Sequence, residues 1–114
     1  MSRAFHLYLE DIVSAASAIE DYVEGLSLGD FRGNLKTVHA VMMNLEIIGE
    51  AVKKLPAEIK GKHPEIPWQR ISGLRDRFVH EYFNIQVELI WTFSTENVPA
   101  LKTVAQALLE ESRE

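Results

Sequence analysis

The chain has no cysteine, which removes disulfide frameworks, zinc–thiolate sites and cysteine nucleophiles, and makes a reducing compartment unproblematic. No apolar run approaches the roughly 18 residues that a membrane span requires, and Met1-Ser2-Arg3-Ala4-Phe5 carries no long apolar leader. These absences predict a cytoplasmic protein with no membrane partner. Sustained period-two alternation is missing, as are internal repeats and low-complexity linkers, so strands, solenoids and multi-domain arrangements are not expected. There is no glycine-rich phosphate loop, no nucleophilic-serine motif and no nucleotidyltransferase-like carboxylate pair on a strand. His6, His39 and His63 fall on different elements without a paired histidine at i+3 or i+4, so neither a metal nor another cofactor is expected.

What remains is a chain of 114 residues, nearly half of them apolar, enough for one compact domain over 1–114 with a single core. Its apolar residues step by three and four. Phe5, Tyr8, Ile12, Ala15, Ile19, Tyr22 and Leu26 mark one long amphipathic helix, and Val38, Val41, Leu45, Ile48, Val52 and Leu55 mark a second. Between them Ser27-Leu28-Gly29-Asp30 reads as a chain break followed by a capping signal. Pro56 closes the second helix or opens a short third one. Pro64 and Pro67 make a turn, since residues before proline avoid the helical region, and Pro67 opens a further helix. That helix carries Trp68, Ile71, Leu74, Phe78 and Val79 to the core and stops near Asn84. A short pattern of Val87, Ile90, Trp91 and Ser94 follows, and a last helix begins at Asn97-Val98-Pro99 with Leu101, Val104, Leu108 and Leu109 buried. The fold class is therefore all-α, an antiparallel bundle of four to six helices.

Charge is uneven along this frame. The formal net charge is −5, yet residues 60–80 sum to +3 against −8 for the rest. A local basic patch on an acidic body would dock a phosphate chain in one place, although a solvated charged face gives the same numbers.

Within that segment lies Arg75-Asp76-Arg77-Phe78-Val79-His80-Glu81-Tyr82, an R-x-x-x-x-H-x-Y spacing. Arginine holds phosphate as a permanent two-pronged cation, histidine moves protons near neutral pH, and tyrosine offers a hydroxyl. Together they suit metal-free phosphodiester chemistry. His80 would take a proton from a ribose 2′-hydroxyl or give one to the leaving oxygen, while Arg75 holds the phosphate. Asp76, four residues before His80, would orient the imidazole. RNA is implied over DNA because it carries its own nucleophile. A plain structural reading stands beside this one: a solvated charge run, a histidine at a helix C-terminus and an aromatic at the edge of the core. Geometry also intervenes. On a regular helix Arg75 and Tyr82 share a face, but Arg75 and His80 differ by about 140°. Either the helix distorts near His80 or two copies of it assemble a shared cleft, which predicts a homodimer with a two-fold axis nearby. Elsewhere, Glu46 and Glu50 sit one turn apart beside the second apolar stripe, as a carboxylate pair or as ordinary exposed glutamates, and Met42 and Met43 read as core or dimer-interface filler.

Several blocks, in order, carry a wider likeness: Leu9-Glu10-Asp11-Ile12, Asn44-Leu45-Glu46-Ile47-Ile48-Gly49-Glu50-Ala51, Pro64-Glu65-Ile66-Pro67-Trp68, and Gly73 through Phe83. Over nearly its whole length the chain resembles the HepT-like family of HEPN-domain proteins, toxin members of toxin–antitoxin pairs whose partner is a minimal nucleotidyltransferase, MntA. The resemblance implies a helical bundle that dimerises so that two R-x4–6-H motifs line one cleft, acting as a metal-independent ribonuclease. By position it makes Arg75 and His80 the catalytic pair and Asp76 the polar residue after the arginine, where the family more often has asparagine. Tyr82 corresponds to the tyrosine that the antitoxin modifies with AMP from ATP. The added bulk and negative charge would oppose RNA at the cleft mouth. The alternative is a catalytically silent helical dimer that binds a nucleotidyltransferase.

Overall fold

The computed structural model describes residues 2–81 and 85–112; Tyr82, and the helix stop expected near Asn84, lie outside the described residues. The described residues are all-helical, with no strand. Helix α1 (Arg3–Val23) begins where the Ser2 hydroxyl accepts the Phe5 amide at 3.1 Å. Its buried stripe is Phe5, Leu9, Ile12, Ala15, Ala16 and Ile19. That stripe differs from the expected one at both ends: Leu9 replaces Tyr8 as a fully buried residue, and Tyr22 is exposed. The reason lies at Gly25, whose φ of 75° is the left-handed conformation that ends a helix. The helix stops at Val23, before Leu26 can join it.

Ser27 and Asp30 then form the expected reciprocal box, Ser27 N–H to the Asp30 carboxylate at 3.0 Å and Asp30 N–H to the Ser27 hydroxyl at 3.1 Å. The Ser27 amide and, after it, the Ser27 hydroxyl hold the Asp30 carboxyl below its ordinary pKa. They open the short α2 (Leu28–Arg32), whose Phe31 is fully buried with its ring centroid 5.2 Å from that of Trp91. Asn34 caps α3 (Leu35–Lys53) through the Thr37 amide at 3.1 Å.

Two side-chain contacts fix the directions of the long helices. Lys54, just past α3, sits 5.3 Å over the Tyr8 ring near the start of α1, so α1 and α3 run antiparallel. Lys102, near the start of the last helix, meets Glu20, near the end of α1, at 2.9 Å, so these two are antiparallel as well. Helix α1 therefore lies between two helices that run against it, and the three apolar stripes close the core.

Two boundaries differ from the sequence expectation. Pro56 precedes α4 (Ala57–Gly61) and Pro67 precedes α5 (Trp68–Ser72), as expected, but the helix breaks at Gly73 and restarts as α6 (Leu74–Glu81). The restart makes Leu74 and Phe78 the buried pair of α6 and turns Val79, expected in the core, out to 61 % exposure. Conversely, the two segments expected after Asn84 are one helical rod: α7 (Val87–Thr92), a π-turn over Phe93–Asn97, and α8 (Val98–Ser112). Proline has no N–H to donate and crowds the carbonyl four residues back, which ordinarily ends a helix. Here the Val98 amide reaches back five residues to the Phe93 carbonyl, widening the turn just ahead of Pro99. The buried Ser94 hydroxyl donates to the Ile90 carbonyl at 2.7 Å within the same stretch.

Candidate functional site

Helices α5 and α6 carry the candidate residues, and they are held against α3 by burial on one side only. Trp68, Ile71, Leu74 and Phe78 enter the core, and the Trp68 indole N–H donates to the His63 carbonyl at 2.9 Å. The approach to α3 is close at Gly49, where a Cβ would come within 3.0 Å of the Ile71 carbonyl oxygen. Because the inward face of α6 is thus occupied, Arg75, Asp76, Arg77, Val79, His80 and Glu81 all face outward and are exposed.

The α6 backbone is α-helical from Leu74 to Glu81, so Arg75 and His80 keep the separation of about 140° that a regular helix dictates. The protomer does not distort to gather them. Arg75 instead has two carboxylates beside it: Glu50 of α3, with Oε1 3.5 Å from Arg75 Nε, and Asp76, with Oδ1 3.6 Å from Nη1. Asp76, expected to serve His80, thus has the Arg75 guanidinium next to it. Glu50 in turn lies 3.8 Å from Lys53 Nζ.

The remaining basic residues of the 60–80 segment are largely matched as well. Arg77 Nε donates to Glu81 at 3.0 Å, Lys62 lies 4.0 Å from Glu58, and Arg70 stacks 5.2 Å over the Phe93 ring. Partners from outside the segment, Glu50, Glu58 and Glu81, offset the +3 that the segment carries alone. The surface around α6 is consequently a mosaic of opposite charges rather than a basic stripe.

Two adjoining grooves run along the outer side of α3. One, of about 370 Å³, is bordered by Tyr8, Ile47, Glu50, Lys54 and Arg75. The other, of about 460 Å³, is bordered by His39, Met42, Phe78 and Val79. Met43 and Glu46 line both. Between the grooves lies an apolar strip in which Met43 is 66 % and Ile47 43 % exposed, with Val79 across from them on α6.

Sequence reasoning did not pair Glu50 with Arg75. The two are far apart in the chain, and the one local signal was a glycine beside a glutamate inside an apolar stripe. Tyr82 lies outside the described residues. Among the described residues no group of three or more His, Cys, Asp or Glu side chains is placed to hold a metal ion, and no helix is long and apolar enough to cross a membrane.

Comparison with known proteins now adds to this geometry. A protein of Thermococcus cleftensis named "Probable ribonuclease HepT" is 42 % identical over 102 residues, covering 90 % of this chain and 93 % of its own length. A candidate RNase of Caldanaerobacter subterraneus is 37 % identical over 106 residues, covering 93 % and 95 %. One of Methanocaldococcus jannaschii is 39 % identical over 92 residues, covering 81 % and 76 %. No solved structure matches the chain significantly. The family model described as "Ribonuclease HepT-like" matches residues 12–108, a span that takes in both α3 and the Arg75–His80 helix, and the chain belongs to that family.

Proposed function

We propose that the chain is a metal-independent endoribonuclease that works as a homodimer, with Arg75 and His80 of two copies sharing one cleft. The observation that carries this reading is the exposed set of Met43, Ile47 and Val79: Met43 and Ile47 share a groove with Arg75, and Val79 immediately precedes His80 on α6. An isologous interface over that strip sets the same patch of each copy against the other, bringing α6 to α6 and supplying from two helices what one regular helix holds apart. In such a cleft one His80 takes the proton of a ribose 2′-hydroxyl as its oxygen bonds to the adjacent phosphorus. The bond from phosphorus to the 5′-oxygen breaks, and the protonated His80 of the other copy gives that oxygen a proton. Arg75 holds the phosphate oxygens as charge builds. The products are a 2′,3′-cyclic phosphate and a 5′-hydroxyl.

The same reading makes the protein a toxin restrained by a partner nucleotidyltransferase that transfers AMP to Tyr82, two residues past His80. Each AMP adds bulk and negative charge where a polyanion must enter. Expression without a partner tests the proposal: wild type slows growth and fragments RNA, whereas Arg75→Ala and His80→Ala each lose about 10²–10⁴-fold in cleavage by the purified, folded protein. Equal toxicity of all three, or no cleavage by folded wild type, leaves the silent dimer module as the better account. Intact-mass measurement after incubation with the antitoxin and ATP tests Tyr82; an unchanged mass, or the same gain in Tyr82→Phe, removes it.

A further inference from the structure

The side chain of Arg75 is long, half exposed and free at its tip unless something holds it. Two carboxylates lie beside it, and they differ in origin. Asp76 is its chain neighbour on α6, itself largely exposed, and ties Arg75 only to its own helix. Glu50 comes from α3, a different rod, and lies 3.5 Å from Arg75 Nε.

The location of Glu50 is set by packing rather than by charge. Residue 49 is the glycine whose missing side chain lets α3 approach the Ile71 carbonyl, where a Cβ would lie at 3.0 Å. Ile71 and Leu74 are both buried in the same wall, on either side of the Gly73 break. The contact at Gly49 therefore sets the register between α3 and the start of α6, and Glu50, the next residue, faces the guanidinium as a result.

We propose that Glu50 is a positioning residue for Arg75, holding the Nε edge so that the terminal nitrogens are presented to phosphate in a fixed orientation. This rests on the reading of Arg75 as the phosphate-holding group. The arrangement has two opposed effects that fall on different kinetic constants. A carboxylate beside a polyanion weakens ground-state binding, while a guanidinium already oriented where charge develops accelerates the chemical step. Glu50 thus raises KM and raises kcat.

The experiment uses the full chain and a fluorescent single-stranded RNA oligonucleotide of mixed sequence. Glu50→Ala is expected to lower kcat about tenfold with KM unchanged or lower, and Glu50→Gln, whose amide oxygen sits where the carboxylate oxygen faces Nε, to recover part of kcat. Damage to folding would instead lower the melting temperature and the fraction of active protein without this split, and that outcome overturns the proposal. So does a rise in kcat in Glu50→Ala, which would make Glu50 a competitor for the phosphate site. A second readout needs no activity. The Arg75 Nε–H resonance, identified by its loss in Arg75→Lys, is expected to exchange slowly with water in wild type and fast in Glu50→Ala. Equal exchange in both overturns the positioning role, whether or not RNA is cut. Slow exchange in a folded wild type that cuts no RNA sinks the nuclease reading while the hold of Glu50 on Arg75 stands.

Discussion

Met42 and Met43 are neighbours in the chain, yet one is 9 % exposed and the other 66 %. They mark the two faces of α3. On the inner face Val41, Leu45, Ile48 and Val52 are almost wholly buried against the rest of the core, and the chain by itself supplies everything they touch. On the outer face Met43 and Ile47 join Val79 in an open strip beside Arg75 and Glu50. Hydrophobic periodicity explains the inner face completely, because burial in one protomer is what that pattern encodes. The outer face follows a different demand. Its apolar groups gain nothing until a second surface arrives, and in the proposed dimer the difference separates what folds each copy from what joins the two.

The largest expected effect tests the inner face. Ile48→Ala should destabilise the protein by about 2–5 kcal/mol, the usual cost of emptying a filled core position, while Met43→Ala should shift protomer stability by no more than about 0.5 kcal/mol. Urea denaturation of both variants checks the contrast; equal losses would mean that α3 has no free face. A smaller effect tests the outer face. Val79→Asp should leave the fold intact and weaken self-association by at least about tenfold, roughly 1.4 kcal/mol, as read by sedimentation velocity over a dilution series. A protein that stays equally associated carries its interface elsewhere.

The smallest effect lies away from both faces and controls for them. Ser27→Ala removes one half of the box that opens α2 and should cost about 1 kcal/mol with no change in self-association. The same box gives a pH signature. Because Asp30 is held below its ordinary value of 3.8 in the folded protein, its stabilising contribution is complete above that value and is lost as pH falls through the lower, folded one. Ser27→Ala keeps the Ser27 amide, the larger cause, and loses only the hydroxyl, so this part of the acid dependence should shrink without vanishing, as followed by circular dichroism in an acid titration.

The all-α fold and the positions of its long helices were legible because steps of three and four need no tertiary information, and the box at Ser27 and Asp30 was legible because capping is local. The two boundaries that differed carried local signals that can be resolved in more than one way. Gly73 is a local stop signal that the expectation of one helix to Asn84 passed over: it caps α5 with its N–H on the Gln69 and Ile71 carbonyls, with Ile71 and Leu74 buried on either side of it. Pro99 signalled a helix start, but a bond reaching back five residues let the rod continue ahead of it. At the site the run from Arg75 to His80 stood out in the sequence, and its helical geometry correctly showed that one regular helix leaves the pair apart. The neighbour of Arg75 across the helix–helix seam did not stand out, since only packing brings position 50 to position 75.

The mosaic of charge around α6 has a consequence for solution behaviour. Arg75, Arg77 and Lys62 already face carboxylates, so they would neutralise few phosphates and displace few of the cations condensed on an arriving RNA. An RNA held there would gain little from counterion release, and its affinity should fall only gently as ionic strength rises. A plot of log Kd against log salt concentration should therefore be shallow, and the hold on RNA would depend on the shape of the cleft more than on its charge.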